Sequence, residues 1–295
     1  MAVSLLLSEK KDAQTVTIDP VLAEGSSTAP SETSRGAPMK IRFLGTSAGI
    51  ATLRSFNTSI LMEADADALL IDCGEPVSAT LIRLGVPPDL IGTLAVTHLH
   101  PDHTGGFTQL IQTFQILRRS RPLTVWMPSE GIETFNTLLN TVYLYRSVLP
   151  FELNIVPVRT GHPVKCGSFR LEFFANEHLA CYRGITGKAP VPAPCESFSI
   201  AAEAEKKRVV VSGDIRHAAE LTAPLSAKTD LLISELVHFP PDELAALPGK
   251  LLPPEIIFTH CRNKSDGTPQ DRENPVLAPF MEKIKFAEDC MEENL

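Results

Sequence analysis

The pattern of apolar and polar positions changes at Met39. Residues 1–38 contain the segment AEGSSTAPSETSRGAP and show little apolar periodicity, which is typical of a flexible extension. From Met39 onwards, short runs rich in β-branched and apolar residues alternate with Gly, Asn and Asp, as in MKIRFLG, TSILME and ALLIDCG, and these runs predict strands. We therefore predict an N-terminal extension over 1–38 and one folded domain over 39–295.

Apolar residues at helical spacing predict three helices among these strands. Their apolar faces consist of Phe107, Leu110, Ile111, Phe114 and Leu117 in the first, Ile132, Phe135, Leu138, Leu139 and Val142 in the second, and Leu277, Phe280, Met281, Ile284 and Met291 in the last. Further strands are predicted at 122–127, 152–158, 169–175, 197–202, 207–212, 229–234 and 255–259. Strand-rich halves that are each followed by helices fit two sheets packed face to face under outer helices. The predicted fold class is α/β, a four-layer αββα sandwich.

The last part of the domain is predicted to be irregular outside its helix. The polar stretch CRNKSDGTPQDREN, residues 261–274, is predicted to be a surface loop, and the acidic end EDCMEENL to be a solvated terminus.

Composition and charge restrict the classes of function. The 295 residues are 43% apolar and carry a formal net charge of −8, which disfavours broad attraction to phosphate backbones. Two bound divalent ions would nevertheless restore positive charge inside a cleft. No apolar run reaches the roughly 18 to 20 residues that span a bilayer, and the six cysteines form no CxxC pair. We predict a cytoplasmic protein with reduced thiols and no membrane partner.

The segment AVTHLHPDHTGG concentrates metal-binding side chains. His98, His100, Asp102 and His103 follow the apolar run LIGTLAV, and a loop after a strand lets such side chains converge on one point. Neutral imidazoles together with a carboxylate suit borderline divalent ions such as zinc. The alternative is a histidine-rich surface loop that binds nothing.

Four donors in one loop cannot close two metal sites, so further donors are expected at later strand ends. His178 follows RLEFFANE, Asp214 follows RVVVSG, and His260 follows EIIFT, and each stands just past an apolar run. Taken singly, such a residue is more often a cap or turn residue. The cluster at His98–His103 favours the ligand interpretation.

THLHPDHTGG resembles the signature of the metallo-β-lactamase superfamily, and LLIDCGE, NEH, VVVSGD and FTH occur in the order of that family. The resemblance covers about residues 39–262. It implies two divalent ions, with zinc as the first choice and manganese or iron also compatible. The implied ligands are His98, His100 and His178 for the first ion, Asp102, His103 and His260 for the second, and Asp214 as a bridge. Asp72 resembles an early aspartate that supports the metal loop without being a ligand.

Within that superfamily, MKIRFLGTSAGIATLRSFNTSILME is similar to the opening of ribonuclease Z and related phosphodiesterases. LLISELVHF resembles the ribonuclease Z segment that carries a glutamate, here Glu235. Two departures stand beside the resemblance. Residues 159–170 leave no room for an arm that holds transfer RNA, and PDELAALPGKLLPPEIIF lacks the histidine of a His–Ser–Thr segment. The resemblance therefore implies a phosphodiesterase related to ribonuclease Z without its transfer-RNA-binding arm.

The candidate catalytic residues are Asp102, His238 and Glu235. His238 is the candidate proton donor and Glu235 its support, because leaving-group protonation needs an acid near the metal ions. The alternative for His238 is a surface histidine before a turn. Candidates for binding a substrate anion, from their position alone, are Arg183, Lys188, Arg262 and Lys264. Other polar residues and thiols are expected to be structural, namely Arg118, Arg119, Arg121, His217, Cys181 and Cys195.

The predicted substrate is a small-molecule or nucleic-acid-derived phosphodiester, and family resemblance suggests a homodimer. A metallo-β-lactamase fold also serves carbonyl substrates such as lactones, thioesters or β-lactams, and fold alone does not select among these. A third hypothesis is a non-catalytic metal-binding protein that retains the fold.

Overall fold

The computed structural model describes residues 38–188, 193–262, 264 and 268–295. The predicted extension over 1–38 lies outside these residues except for Pro38. The strands, in chain order, are β1 Lys40–Gly45, β2 Ser59–Ala64, β3 Asp67–Ile71, β4 Ile91–Ala95, β5 Leu123–Met127, β6 Leu153–Pro157, β7 Val164–Cys166, β8 Phe169–Ala175, β9 Phe198–Ala204, β10 Lys207–Val211, β11 Leu231–Leu236, β12 Glu255–Cys261, β13 Ile284–Phe286 and β14 Glu292–Asn294.

Helices occupy the connections between these strands. The α-helices are α1 Val77–Arg83, α2 Pro101–Thr104, α3 Phe107–Ile116, α4 Ile132–Thr141, α5 Arg183–Thr186 and α6 Pro241–Ala245. Short 3₁₀ helices span Ser129–Gly131, Arg146–Val148, His178–Tyr182, Ala218–Thr222, Pro224–Ser226, Gln270–Glu273 and Pro275–Phe280. None of the helices in the described ranges is long and apolar enough to cross a membrane.

The strands form two mixed seven-stranded sheets. The first has the order β14-β1-β2-β3-β4-β5-β6 and the second β13-β12-β11-β10-β9-β8-β7. Strands β3 to β6 run parallel to one another, and so do β10 to β13. The carboxyl ends of parallel neighbours lie at one edge of each sheet, so the turns that follow β3, β4, β10 and β12 are brought together.

Alternation along the strands divides the core into three apolar layers, because side chains at successive strand positions point to opposite faces. In β1, Ile41 and Phe43 enter the layer between the two sheets, together with Leu171 and Phe173 of β8 in the second sheet. The Trp126 ring of β5 lies 6.2 Å from the Phe173 ring. Contacts across this layer hold the two sheets face to face.

The two outer layers complete the sandwich. On the first sheet, Leu70 and Leu94 pack beneath α3 through Leu110 and Phe114. On the second sheet, Val210 and Leu232 pack against α6 and the neighbouring 3₁₀ helices. Helices on the outside of two packed sheets confirm the predicted four-layer αββα sandwich.

Most predicted elements occur close to their expected positions. The strand predicted at 169–175 coincides with β8, and the first predicted helix is α3, whose residues Phe107, Leu110, Ile111 and Phe114 are buried. The second predicted helix is α4, although Leu139 is its only fully buried side chain. The sequence did not predict the short strand β7, because three residues carry too little alternation to be distinguished from a loop.

The prediction for the C-terminal region was wrong. The proposed last helix is a 3₁₀ helix followed by β13 and β14, because Pro279 lacks the N–H that an α-helix interior needs. The acidic end is not a solvated terminus, since β14 pairs with β1 along its edge. Glu292 also forms ion pairs with Lys40 at 3.0 Å and Arg42 at 2.8 Å. Without β14, the backbone N–H and C=O groups along this edge of β1 would have no strand partner. The local sequence of the C-terminal segment does not reveal this pairing.

The loop predicted over 261–274 is partly described. It begins at the end of β12 and contains the 3₁₀ helix Gln270–Glu273, and its residues 263 and 265–267 lie outside the described part of the chain.

Candidate metal centre

The histidine-rich segment lies in the turn after β4 and in the short helix α2. His98 is completely buried, His100 is the residue before α2, and Asp102 and His103 lie within it. Gly106, which follows α2, lies close to the backbone of Cys73. A Cβ at Gly106 would stand 2.8 Å from the Cys73 carbonyl oxygen. The tight contact with the turn after β3 explains the need for glycine at this position.

A first group of donors forms where this segment meets the turns after β8 and β10. One ligand atom each from His98, His100, His178 and Asp214 lies within 4.8 Å of the others. His178 Nε2 is 3.2 Å from His100 Nδ1 and 3.6 Å from Asp214 Oδ2. His100 and His178 are 78 positions apart in the sequence, so the packing of the two sheets brings them to one point.

A second group lies beside the first. Ligand atoms of Asp102, His103 and His260 also lie within 4.8 Å of one another. His103 Nε2 is 3.6 Å and His260 Nε2 is 3.8 Å from Asp102 Oδ2. Asp214 faces this group too, because its Oδ1 is 3.3 Å from His103 Nε2 and its Oδ2 is 3.3 Å from His260 Nε2. The structure thus places Asp214 between the two groups.

The hydrogen bonding of the atoms that face the centre of the site shows whether these residues fit metal ions. His98 Nε2, His103 Nε2 and Asp214 Oδ1 are buried and have no hydrogen-bond partner among the described residues. Buried polar atoms without partners are costly in a native structure, and imidazole nitrogens gathered around carboxylates are a ligand set that suits zinc. The donor set and its unpartnered atoms therefore fit divalent metal ions.

The outward-facing nitrogens of the same rings are held by polar side chains. Thr97 Oγ1 is 3.1 Å from His98 Nδ1, Asp72 Oδ2 is 2.7 Å from His103 Nδ1, and Thr58 Oγ1 is 2.7 Å from His260 Nδ1. Such contacts fix ring orientation and tautomer, leaving Nε2 available to a metal ion. Sequence reasoning missed Thr58 and Thr97, because a threonine near a strand end is too common to indicate this role.

Two residues of the site have a left-handed backbone. Asp72 has φ of 57° and His260 has φ of 47°. This region is unfavourable for residues other than glycine, and such residues cluster at functional sites. Asp72 directly follows β3 and His260 is the next-to-last residue of β12, so both stand where a strand ends.

The pKa values of the ring nitrogens follow from burial and from the carboxylates. Burial lowers the pKa of His98 well below its usual value and the pKa of His178 to about 4, so both rings are neutral at about pH 7. Burial also opposes charge on His103, but Asp214 and Asp72 outweigh it and raise the pKa of this ring. Burial disfavours the Asp214 carboxylate, yet His260 and His103 hold its pKa well below the usual range.

Glu235 and His238 lie beside the two groups, and a His238 ring nitrogen lies within 4.8 Å of ligand atoms of Asp214 and His260. The buried Glu235 carboxylate accepts hydrogen bonds from the backbone N–H groups of Ile215, Val237 and His238, and its Oε1 is 3.0 Å from His238 Nδ1. Burial lowers the pKa of His238, but the contact with Glu235 outweighs burial and raises it. His238 Nδ1 is also 3.7 Å from Asp214 Oδ2.

Three of the four cations predicted to bind a substrate anion contact other protein groups. Arg183 forms an ion pair with Glu177 at 2.6 Å, and Arg262 donates to the Val237 carbonyl oxygen at 2.6 Å. Lys264 pairs with Glu273 at 3.3 Å. The remaining candidate, Lys188, is exposed. Three of the four cations therefore already have structural partners.

The residues expected to be structural also have protein contacts. Arg119 is completely buried and donates to two backbone carbonyl groups, and Arg121 pairs with Asp67 at 2.7 Å. His217 Nδ1 is 3.3 Å from Glu243 Oε1. The Cys195 thiol donates to the Ala193 carbonyl oxygen at 3.5 Å, and Cys181 is a free thiol.

Comparison with known proteins finds one matching family and relatives with similar sequences. A family model described as the anti-Pycsar protein Apyc1 matches residues 39–276. The ribonuclease Z of Gemmatimonas aurantiaca is 33% identical over 142 residues, which cover 48% of this chain and 44% of that protein. The chain thus matches less than half the length of this relative.

Solved structures share the fold at low sequence identity. The metallo-β-lactamase fold protein YhfI from Bacillus subtilis has a TM-score of 0.69 and 20% identity, covering 88% of this chain and 100% of YhfI. The short form of human tRNase Z has a TM-score of 0.64 and 17% identity, covering 86% of this chain and 98% of that one. The predicted metallo-β-lactamase fold and the likeness to ribonuclease Z are confirmed.

Proposed function

The chain belongs to the family of the anti-Pycsar protein Apyc1, and on that premise we propose that it is a metal-dependent phosphodiesterase with a dinuclear site. The observation that carries this proposal is the convergence of seven donors in two groups, with three buried inward-facing atoms that lack partners among the described residues. The likeness to ribonuclease Z supports a phosphodiester as the substrate.

The proposed ligands are those expected from the sequence. His98, His100 and His178 would hold one ion, Asp102, His103 and His260 the other, and Asp214 would contact both. Five imidazoles and two carboxylates suit zinc first, with manganese or iron as alternatives. When bound, such ions lower the pKa of an attacking water and neutralise charge on a phosphoryl group.

The charges of the ligands favour an anionic substrate. Asp102 and Asp214 contribute two negative charges against about four positive charges from two divalent ions. The neutral rings of His98 and His178 add none at about pH 7. The proposed centre therefore keeps a net positive charge, which attracts a phosphodiester in spite of the acidic composition.

His238 is the proposed proton donor. Its raised pKa keeps a larger fraction of the imidazole protonated near neutral pH, and the Glu235 carboxylate orients its Nδ1. Glu235 itself is buried and held by backbone N–H groups, so it is a positioning residue and not the acid. A protonated imidazole at this rim can transfer its proton to the leaving oxygen.

The rim of the site favours a small substrate. The connection from β6 to β7 spans only residues 158–163, so this described part of the chain has no arm for transfer RNA. The exposed Tyr182 ring lies 5.9 Å from the His100 ring, which leaves an aromatic surface beside the first group. Tyr182 can stack on a flat group attached to the phosphodiester.

Two further expectations belong to this proposal. The six scattered cysteines, with no CxxC pair, suit a cytoplasmic location, where thiols stay reduced. A homodimer is the proposed assembly, and light scattering of the purified chain would measure it. A mass of one chain would contradict the dimer without affecting the proposed activity.

The decisive experiment combines metal analysis with a substrate panel. Protein purified without chelator should contain about two metal ions per chain and should hydrolyse bis-p-nitrophenyl phosphate faster than a lactone or nitrocefin. Asp102→Ala should lose metal and activity together. Faster turnover of the lactone or nitrocefin would favour a carbonyl hydrolase, whereas less than about one ion per chain with no turnover would favour a non-catalytic protein.

A further inference from the structure

The connection between β1 and β2 contacts the candidate metal centre. We call residues 47–56 the rim loop. Its ends are joined by a hydrogen bond from the Ser47 N–H to the Phe56 carbonyl oxygen at 2.7 Å. Inside the loop, the Thr52 N–H donates to the Ser55 carbonyl oxygen at 2.8 Å. The loop is therefore a closed unit with its own internal hydrogen bonds.

The tip of the rim loop contacts a proposed metal ligand. The Gly49 N–H donates to Asp102 Oδ2 at 2.8 Å. The same oxygen faces His103 Nε2 and His260 Nε2 at 3.6 and 3.8 Å. One backbone N–H thus holds the carboxylate in the orientation that directs it to the second group of donors. Gly49 has φ of +63°, a conformation that favours glycine.

Asp289 holds the base of the same loop. Its Oδ1 accepts a hydrogen bond from the Thr46 hydroxyl at 2.8 Å, and its Oδ2 accepts one from the Phe56 N–H at 2.7 Å. Thr46 immediately precedes the rim loop, and Phe56 is its last residue. The Thr46 carbonyl oxygen also accepts a hydrogen bond from the His260 N–H at 2.9 Å. One carboxylate from the C-terminal segment therefore spans the base of the loop.

We propose that Asp289 is a positioning residue for the second group of donors, Asp102, His103 and His260. This inference rests on the proposed metal centre. Without the Asp289 carboxylate, the loop would keep its Ser47–Phe56 closure and the contact of Thr46 with the His260 N–H, but it would lose the two hydrogen bonds to Asp289. The Gly49 N–H would then no longer be fixed against Asp102. Contacts around a ligand typically change metal affinity by about 10- to 100-fold.

The first group of donors, His98, His100 and His178 with Asp214, serves as an internal control for the effect of Asp289 on metal affinity. In the ranges that the structure describes, no hydrogen bond joins the rim loop to His98, His100 or His178. Loss of Asp289 should therefore lower the affinity for one metal ion much more than the affinity for the other. A general loss of stability would instead lower the unfolding temperature without separating the two affinities.

Zinc titration of the full chain under chelator competition tests the inference. Asp289→Ala should weaken one of two zinc affinities about tenfold and leave the other within about twofold. Thr46→Val keeps the shape of the side chain and removes one of the two hydrogen bonds to Asp289. It should therefore lower the affinity for the same ion by a smaller factor. Glu288→Ala is the matched control, because its carboxylate pairs with Arg272. This control should bind both ions as the wild type does.

Thermal unfolding of the metal-free variants shows whether each one folds. If Asp289→Ala does not fold, Thr46→Val decides the question. Two unchanged affinities in the folded variants, or equal weakening of both ions, would overturn the positioning role while leaving the metal centre intact. A wild-type chain that binds no zinc would overturn the metal centre and this inference together.

Discussion

Substitution of Asp72 by Asn changes one atom of the site without changing its shape. Asp72 Oδ2 is 2.7 Å from His103 Nδ1, and its Oδ1 accepts a hydrogen bond from the Thr97 N–H at 2.8 Å. Asn has a single oxygen, so its NH₂ group must face one of these two donors. If it faces His103, the ring must accept at Nδ1, and the ring proton moves to Nε2, where the metal ion is expected.

The magnitude follows from the hydrogen bond that is lost. A hydrogen bond to a charged group contributes about 1.5 to 3 kcal/mol. Because about 1.4 kcal/mol corresponds to a tenfold change in an equilibrium constant, zinc affinity should fall about 10- to 100-fold in Asp72→Asn. The measurement is zinc titration under chelator competition, and turnover should fall along with occupancy.

Asp67→Asn is the matched control. Asp67 begins β3 and Asp72 follows it, so the two carboxylates stand at opposite ends of the same strand. Asp67 is also buried, accepts hydrogen bonds from the N–H groups of Ala68 and Ser168, and pairs with Arg121. Its substitution should lower stability and leave zinc affinity unchanged. Wild-type affinity in folded Asp72→Asn would refute the orienting role of Asp72.

Four further measurements test other parts of the site and the fold. His238→Asn should lower kcat about 100-fold or more with zinc content unchanged. Because the pKa of His238 is raised, wild-type activity that needs the protonated ring should fall as pH rises through that pKa, and this fall at high pH should be absent in the variant. Tyr182→Ala should raise KM for aryl or nucleoside phosphodiesters while Tyr182→Phe should not, and an equal effect of both would point to the hydroxyl group instead. Removal of zinc should lower Tm, since an ion at about a hundredfold excess over its Kd stabilises by about 2.7 kcal/mol, and an unchanged Tm would contradict a structural contribution of the ions. Arg119→Met should lower the free energy of unfolding by about 1 to 3 kcal/mol, because it removes the buried guanidinium that donates to the Pro88 and Pro122 carbonyl groups, and zinc affinity should stay the same.

The local part of the site could be predicted from the sequence. His98, His100, Asp102 and His103 stand within six positions, so one turn after β4 suffices to bring them together. The periodicity of α3 and the apolar runs of the central strands are equally local, and they determine which faces are buried. Repeated apolar runs followed by polar strand ends also indicated Asp214 and His260, because β10, β11 and β12 are parallel and place their carboxyl ends at one edge. This reason does not extend to His178, which follows the antiparallel strand β8.

Only the tertiary structure decided which contacts support those donors. Thr58 reaches His260, and the Gly49 N–H reaches Asp102, through the packing of elements far apart in sequence. The C-terminal strands depend on the open edges of β1 and β12, which no local pattern reports. Arg119 stands in a basic run of the sequence, yet its guanidinium is buried. Local periodicity determines which side of an element is apolar, whereas pairing partners and buried polar contacts depend on the whole fold.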